Sequence, residues 1–347
     1  MIVAHVDLDA FFATVEELEQ PELRTKPLVV GGDPRGRGVV ATANYAARRF
    51  GIQSAMSCAE ALRRCPQTVF LRPRHQHYRQ ISREVWAAIR EVAPVVEQTG
   101  IDEGYLDLTP QAADFLEARK LAEAVQTAVR GTTRLTCSLG VAPSKVVAKI
   151  ASDRRKPGGV TVVPEGREAA FLAPLDVRRL PGVGPRAEAR LRSAGVETIG
   201  ALARLTNAEL AALLPGKVGD MLRTRAWGID PRSVEPPVSI SHEETFERDV
   251  DDRAKLHEEL RRMAESLGRG LHERGLFSRT VTTKLRYGDF TTRTRSETMA
   301  AGTDDPQRVA DLACALLDRA LDERPGALRL VGVAVSTLQP VAQLAFV

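Results

Sequence analysis

Three acidic residues in two distant places could do chemistry together: Asp7 in IVAHVDLDAFFATVEE and the adjacent pair Asp102-Glu103 in VVEQTGIDEGYLDL. Both places lie at or near the ends of apolar runs. A carboxylate there, with no Lys or Arg beside it in the chain, needs a cation to offset its charge and its desolvation. Hard divalent ions with oxygen ligands meet that need. Two such ions, roughly 3.5 to 4 Å apart and bridged by carboxylates, can activate an attacking oxygen and stabilise a leaving one in an in-line displacement at phosphorus. The chemistry implied is nucleotidyl transfer. Taken singly, Asp7, Asp9, Asp102 and Asp107 would be ordinary strand-end or turn carboxylates in solvent. Their flanking sequence decides otherwise.

The elements that must position these groups can be traced from pattern. Residues 2–8 form a near-continuous apolar run, as in a strand buried on both faces, and it delivers Asp7 to its C-terminal end. The acidic pair comes from a hairpin, VAPVVEQ followed by Thr99-Gly100 and IDEGYLDL. Regular alternation would send Asp102 and Glu103 to opposite faces, so the hairpin end is expected to bend or bulge, with Gly104 permitting it. On an unbent strand Asp9 shares a face with Asp7 and is a rival ligand. Helical patterns near 76–91 and 113–130 and a strand over 134–142 complete a β-α-β-β-α-β order, the ferredoxin-like arrangement. Residues 11–74 interrupt it after its first strand. Residues 164–232 are helical, with a Pro-Gly-Val-Gly hairpin between a helix and a second one opening at Pro185. SVEPPVSIS, residues 233–241, suits an extended linker. The same order then repeats, with strands near 241–247, 279–287, 291–299 and 328–338 and helices near 253–275 and 306–322.

Composition sets bounds. At 347 residues the chain suggests two to four domains. Lys and Arg number 49 against 45 Asp and Glu, so the net charge of +4 permits a nucleic-acid partner without demanding one. Cys58, Cys65, Cys137 and Cys314 show no CxxC pair and no zinc-ligand spacing, which points to buried free thiols in a reducing cytoplasm. The N-terminus enters a strand with no basic leader, and no apolar run reaches the roughly 18 residues of a membrane span. A soluble cytoplasmic protein is expected.

Seven ordered blocks carry a resemblance: VDLDAFFATVE at 6–16, ATANYAARRFGIQSAM at 41–56, GIDEGYLDLT at 100–109, LGVAPSKVVAKIASDRRKPGGV at 139–160, RLPGVGPR at 179–186, SHEETF at 241–246 and RLVGVAVSTL at 329–338. Almost end to end, the chain resembles the Y-family of DNA polymerases, most closely its DNA polymerase IV branch of translesion enzymes. The resemblance implies an α+β multidomain right-hand polymerase. Its ferredoxin-like palm would take residues 1–10 and 75–163, its small fingers 11–74, and its helical thumb with a helix-hairpin-helix 164–232. A linker at 233–240, a β-α-β-β-α-β little finger at 241–342 and a clamp-binding tail at 343–347 would follow. The implied activity is template-directed, low-fidelity synthesis from dNTPs onto a primer 3′-hydroxyl by two-metal-ion catalysis, including synthesis past damaged bases, without proofreading. Two Mg2+ ions, replaceable by Mn2+, primer-template DNA, dNTPs and a sliding clamp are the implied cofactors and partners, with the chain a monomer. A nucleotidyl cyclase and a non-catalytic DNA-binding paralogue are the competing readings, and the intact acidic triad beside Tyr45, Arg48 and Lys156 argues against both.

By the same resemblance Asp7, Asp102, Glu103 and the backbone carbonyl of Leu8 hold the metals, with Asp9 second to Asp7. Tyr45 and Arg48, three apart on one helical face, offer donors to a triphosphate, and Lys156 joins them by resemblance, while Arg49 stays on the surface. The nucleotide pocket takes in Phe11, Phe12, Val39, Ala41 and Thr42. Phe12 matches the steric gate against a 2′-hydroxyl, and Phe11 is expected in the core. Val39, Ala41 and Ala10 are small and leave slack around the templating base. Gly182 and Gly184 offer amides and a helix N-terminus to a DNA phosphate. Read as Gly-x-Gly-x-x-Ala the same segment mimics a dinucleotide fingerprint, but no strand precedes it.

From Arg269 to Arg295 seven Lys and Arg stand against Glu273 and Asp289. Alternation puts Lys284 and Arg286 on one face of their strand and Arg293 and Arg295 on one face of the next; if the register aligns those faces, they form a phosphate-binding strip. At the end of the chain, Gln343, Leu344 and Phe346 resemble a clamp-binding motif, departing from it in the closing Ala345-Phe346-Val347. Gly100 and Gly104 stand where the family commonly has Ser and Ala, and are expected to loosen the hairpin.

Overall fold

The computed structural model describes residues 1–214 and 216–340. Contacts divide the chain into two units, Met1–Pro236 and Pro237–Val347.

The first unit opens with β1 (Val3–Leu8), α1 (Phe11–Glu19), β2 (Leu28–Gly31), β3 (Val40–Ala43), α2 (Tyr45–Arg48), α3 (Cys58–Arg64) and β4 (Val69–Leu71). It continues through α4 (His75–Val92), β5 (Val96–Gln98), β6 (Glu103–Asp107), α5 (Phe115–Thr133), β7 (Cys137–Ala142), α6 (Lys145–Ser152) and β8 (Val160–Val162). The short helices α7 (Glu168–Leu172), α8 (Pro185–Ser193), α9 (Ile199–Ala203), α10 (Asn207–Leu213) and α11 (Lys217–Ala226) close it.

Its centre is a five-stranded sheet in the order β5-β6-β1-β7-β8. Leaving out β8, which runs parallel to β7 as an added edge, the order is the ferredoxin-like one. Both faces of β1 are covered, one apolar throughout and the other carrying His5 and Asp7 beyond Val3. Ala4, Val6 and Leu8 join a core with Tyr78, Val85, Trp86 and Ile89 of α4 and Ala118, Ala122, Val125 and Val129 of α5. Val3 and Tyr105, on the opposite face, share a second core with Val146, Val147 and Ile150 of α6 and with Leu172, Leu191, Leu202 and Leu222 of the short helices. A small sheet in the order β3-β2-β4 has its own core of Val29, Val40, Ala47, Ile52 and Cys58. The helix expected before the Pro-Gly-Val-Gly hairpin is only a 3-10 turn, Val177–Arg179, because Pro181 and Gly182 follow too soon for a full helix. Thr206 and Glu209 form a reciprocal capping box that fixes the start of α10.

The second unit runs β9 (Ser239–Val250), α12 (Arg253–His272), β10 (Leu276–Tyr287), β11 (Thr292–Thr303), α13 (Pro306–Glu323) and β12 (Leu328–Pro340). Its order of elements matches that of the large sheet in the first unit, yet its antiparallel sheet is ordered β11-β10-β12-β9, with the last strand rather than the first in the interior. Leu256, Leu260, Met263, Leu267 and Leu271 recur every three or four positions along α12 and pack with α13 against Val281, Leu285, Val331 and Val335. The opposite face is polar.

Candidate active site

Asp7 and Glu103 are paired residues on the adjacent antiparallel strands β1 and β6. Directly opposed residues put their side chains on one face, here the face covered by α6. Asp102 lies in the turn before β6, and its carbonyl accepts the Leu8 N–H at 2.9 Å. Strand alternation therefore never applies to Asp102, and no bulge is needed. Gly104 sits in a regular ladder between Val6 and Gln98. A Cβ there would come within 2.6 Å of the Trp86 indole and 2.7 Å of the Glu97 carbonyl. The expectation that Gly104 loosens the hairpin is thus corrected: it admits the indole. Trp86 Nε1 and the Ser82 hydroxyl both donate to the Ile101 carbonyl, at 3.3 and 2.5 Å, and tie the acidic turn to α4.

The approach of α6 depends on Gly140, which is opposite His5 on β1. A Cβ at Gly140 would lie 2.0 Å from the Ala148 carbonyl, so the helix rests on the bare strand. Lys149 of α6 thereby reaches Glu103 at 2.5 Å, and Ser152 Oγ comes within 2.9 Å of His5 Nδ1. His5 Nε2 lies 3.5 Å from the same Glu103 carboxylate. The His5 hydrogen bond, then Lys149, hold the Glu103 carboxyl down to about 2. Burial depresses the His5 imidazole in turn. Neither His5 nor Lys149 was singled out from the sequence, although a lysine within the apolar stretch VVAKIA was a signal.

Asp7 receives Lys156 at 2.8 Å, and Lys156 also meets Asp153 at 2.8 Å. Burial still pushes the Asp7 carboxyl above its ordinary value, outweighing the ammonium. Asp102 is raised likewise, by burial and then by its neighbour Glu103. For Lys156, burial works against the charge, but Asp7 and Asp153 prevail and raise its pKa. Asp7 and Asp102 thus stay raised by burial, even with Lys156 beside Asp7. Among the described residues no three or more His, Cys, Asp or Glu form a ready-made metal shell, since two of the acids are turned to lysines. The donors are nonetheless all hard oxygens, which suits a divalent cation of the Mg2+ type. Asp9 is spoken for: it accepts from the Ser138 hydroxyl at 2.7 Å and the Gly158 N–H at 2.8 Å.

Tyr45 and Arg48 share the single turn of α2, capped by Asn44, whose side-chain oxygen accepts the Ala47 N–H at 2.8 Å and the Leu28 N–H at 3.0 Å. The Arg48 guanidinium lies 4.9 Å from the Tyr45 ring centroid, and its Nε donates to the Ala43 carbonyl. The Tyr45 hydroxyl is buried without a hydrogen-bond partner. Burial, then the negative charge of Asp9, push it up to about 12. Arg48, Lys156 and Asp7 act on it as well. An orphaned buried donor beside two cations is fitted to an anionic oxygen.

Ala10 is the turn between β1 and α1, with φ 45° and ψ 45°. It is 7% exposed. Phe11 belongs to the core, 1% exposed. Phe12 is only partly buried; its ring stacks on Tyr78 at 4.2 Å and meets His75 edge-on at 6.1 Å. Val39, just before β3, and Ala41, within it, are exposed, whereas Thr42 is buried.

Gly182 has φ +105°, a conformation that favours glycine, and lies against Leu222 and Met221 of α11. Gly184 has ordinary angles and precedes Pro185 at the N-terminus of α8. The expected basic strip does not form as drawn. Arg293 is opposite Leu285 and Arg295 opposite Thr283, on the helix-covered face, where both arginines meet Glu323 of α13. Lys284 and Arg286 are opposite Thr294 and Thr292 on the other face. The register is offset by one residue from the one that would align them. Lys284 pairs with Glu243 at 2.7 Å across Gly332. Gln343, Leu344 and Phe346 lie outside the described residues.

Comparison with known proteins places this geometry. Residues 6–153 match the impB/mucB/samB family, 237–345 its C-terminal domain, and 178–230 the thumb domain of DNA polymerase-iota. DNA polymerase IV of Streptomyces coelicolor is 43% identical over 347 residues, 98% of this chain and 72% of that protein. DNA polymerase IV of Halorhodospira halophila is 42% identical over 342 residues, 97% of this chain and 95% of that protein. The insertion ternary complex of Dbh DNA polymerase superposes with a TM-score of 0.76 at 26% identity, over 98% of this chain and 100% of that one. DinB from Sulfolobus solfataricus gives 0.74 at 26% identity, over 97% and 98%. Likeness of this extent, over both units, makes the chain a member of the Y-family of DNA polymerases, in its DNA polymerase IV branch, and hence a DNA-directed DNA polymerase with palm, fingers, thumb and little finger.

Proposed function

We propose that this chain extends a primer 3′-hydroxyl with dNTPs on a DNA template at low fidelity, including past damaged bases, and does so without proofreading. The observation that carries the proposal is the pairing of Asp7 with Glu103 beside Asp102, which gathers three carboxylates at one end of β1 and β6. Polymerases of this family use divalent metal ions. Asp7, Asp102 and Glu103, with the Leu8 carbonyl, would hold two Mg2+ or, in their place, Mn2+. When bound, such ions supply charge stabilisation for the attacking and leaving oxygens of an in-line displacement.

The chain's own groups do the rest. Tyr45, Arg48 and Lys156 bind the triphosphate, and their fixed donors favour the charge that develops on it. Phe12 lies against the sugar and excludes a 2′-hydroxyl. Val39 and Ala41, small and exposed, confine the templating base loosely, and loose pockets discriminate weakly. The Dbh relative is solved as an insertion ternary complex; primer-template DNA and a dNTP are the partners proposed here by likeness. Gly182, Gly184 and the N-terminus of α8 would hold a DNA phosphate.

The proposed palm is 1–10 and 75–163, the fingers 11–74, the thumb 164–232, the linker 233–240 and the little finger 241–342. A clamp-binding tail at 343–347 is proposed from sequence, and its deletion should abolish clamp-stimulated synthesis while sparing basal activity. All four cysteines are free and buried, in keeping with a reducing cytoplasm, and the chain is proposed to act as a monomer. No described helix is long and apolar enough to cross a membrane.

Primer extension with Mg2+ and single dNTPs tests the reading. Wild type should extend undamaged and lesion-containing templates, and Asp7→Ala, Asp102→Ala or Glu103→Ala should each lose on the order of a hundredfold or more. Normal turnover by any of the three removes that residue from the site.

A further inference from the structure

Tyr78 of α4 uses one ring for two contacts. Its face stacks on Phe12, with centroids 4.2 Å apart and planes inclined by 15°, while its hydroxyl donates to Glu16 at 2.5 Å. Phe12 and Glu16 are four residues apart on α1, one above the other on the same helical face. A single side chain from α4 therefore spans one turn of α1, from an aromatic ring to a carboxylate.

That carboxylate is itself held. Glu16 is buried, with its side chain 3% exposed. Arg74 grips it with two parallel hydrogen bonds, Nε to Oε1 at 2.9 Å and Nη2 to Oε2 at 2.8 Å. The planar guanidinium fixes both distance and orientation. Arg74 also reaches Glu19 at 2.5 Å, and Glu19 meets His77 at 2.5 Å. α1 and α4 are thus locked together at the level of Glu16. The hydroxyl of Tyr78 is one of the rigid points of that lock.

Phe12 has no polar anchor of its own. Its ring is partly exposed, stacked on Tyr78 and met edge-on by His75. A ring that discriminates by steric contact is selective only while it cannot retreat. We propose that Glu16, Arg74 and Tyr78 form a brace that fixes the position of Phe12, so that exclusion of the 2′-hydroxyl depends on an ion pair one helical turn away from the ring. The three are positioning residues, and the inference rests on the reading of Phe12 as the steric gate.

The test is single-nucleotide extension by the full chain, giving kcat and KM for a dNTP and for its ribonucleotide counterpart. Tyr78→Phe keeps the stacked ring and removes only the anchor; Glu16→Gln keeps the shape and removes the charge. Each should raise the ratio of ribonucleotide to deoxyribonucleotide efficiency by roughly tenfold, the scale of one lost hydrogen bond to a charged group. Arg74→Lys, which retains charge without the fork, should fall between wild type and Glu16→Gln. In a Phe12→Ala background, Glu16→Gln should add nothing to the ratio.

A merely structural role would lower both efficiencies together and leave their ratio unchanged, which overturns the brace. If Phe12→Ala raises the ratio and the brace variants do not, the brace fails and the gate stands. If Phe12→Ala leaves the ratio unchanged, the gate fails and the brace with it. Should Glu16→Gln not fold by thermal melting, Tyr78→Phe, which lacks a single oxygen, decides alone.

Discussion

The carboxylate of Asp9 holds the backbone N–H of Gly158 at 2.8 Å, two residues beyond the lysine that faces Asp7. Its other oxygen accepts from Ser138 on β7. The second aspartate of the DLD motif therefore secures the loop that carries Lys156, and the first meets the lysine itself. From the sequence the two were rivals for one role.

Different kinetic signatures should follow for the two aspartates. Asp9→Asn weakens two hydrogen bonds to a charged group and lets the 156–158 loop drift, so KM for the dNTP should rise on the order of tenfold with kcat largely retained. Asp7→Asn should instead lose kcat. Steady-state single-nucleotide extension separates them, and a loss of kcat for Asp9→Asn equal to that of Asp7→Asn would return Asp9 to the ligands.

Gly104 should resist replacement by alanine. Gly104→Ala drives a methyl into the Trp86 indole and the Glu97 carbonyl, an overpacking that costs about 1–3 kcal/mol. Urea denaturation should show the loss, and adding Trp86→Phe should recover part of it. A Gly104→Ala protein as stable as wild type would mean that the indole moves aside freely.

Acid stability should carry the mark of Glu103. Its carboxyl titrates near 2 in the folded chain against an ordinary 4.5. A depressed folded-state value means that the group stabilises the fold above about 4.5 and that this contribution disappears as pH falls toward about 2. Thermal melting in chelator should therefore give a steeper fall over that window for wild type than for Glu103→Gln. Coincident slopes would show that His5 and Lys149 do not hold the carboxylate in solution.

The two pairs of basic residues in the second unit should behave differently toward DNA. Arg293 and Arg295 are committed to Glu323 behind the sheet, so neutralising them should leave affinity and its salt dependence as they were. Neutralising Arg286 and Lys284 on the open face, where Lys284 would exchange Glu243 for a phosphate, should flatten the plot of log K against log salt by about 1 to 2. Equal effects from both pairs would mean that the register seen here is not the one that meets DNA.

Much of this architecture was legible in advance because it rests on local pattern. The apolar run before Asp7, the hairpin ending at Glu103 and the heptad-like spacing in α12 each declare an element within a few residues. Register is different. Whether Arg293 faces Thr294's side of the hairpin or the helices turns on a shift of one residue, and nothing in the alternation of either strand fixes that. The lysine on Glu103 was hidden for a related reason. It depends on how closely α6 can approach β7, and Gly140 has meaning only once His5 is known to lie opposite it. Gly104 was misread because its partner, Trp86, is remote in sequence.

The close seating of α6 also bears on how the molecule is made. The carboxylates of Asp7, Asp102 and Glu103 all leave the ribosome before Lys149 and Lys156, and His5 waits 144 positions for the lysine beside it. A nascent chain that has emerged only through β6 carries Asp102 and Glu103 side by side, with the repulsion of like charges and neither lysine yet available. Docking of α6 onto the bare strand at Gly140 brings the lysine that relieves it, and the same helix supplies Val146, Val147 and Ile150 to the core that the later short helices share. One late-arriving helix thus couples relief of charge repulsion at the acids to burial of apolar surface, so the centre is completed only when the chain that covers it has been synthesised.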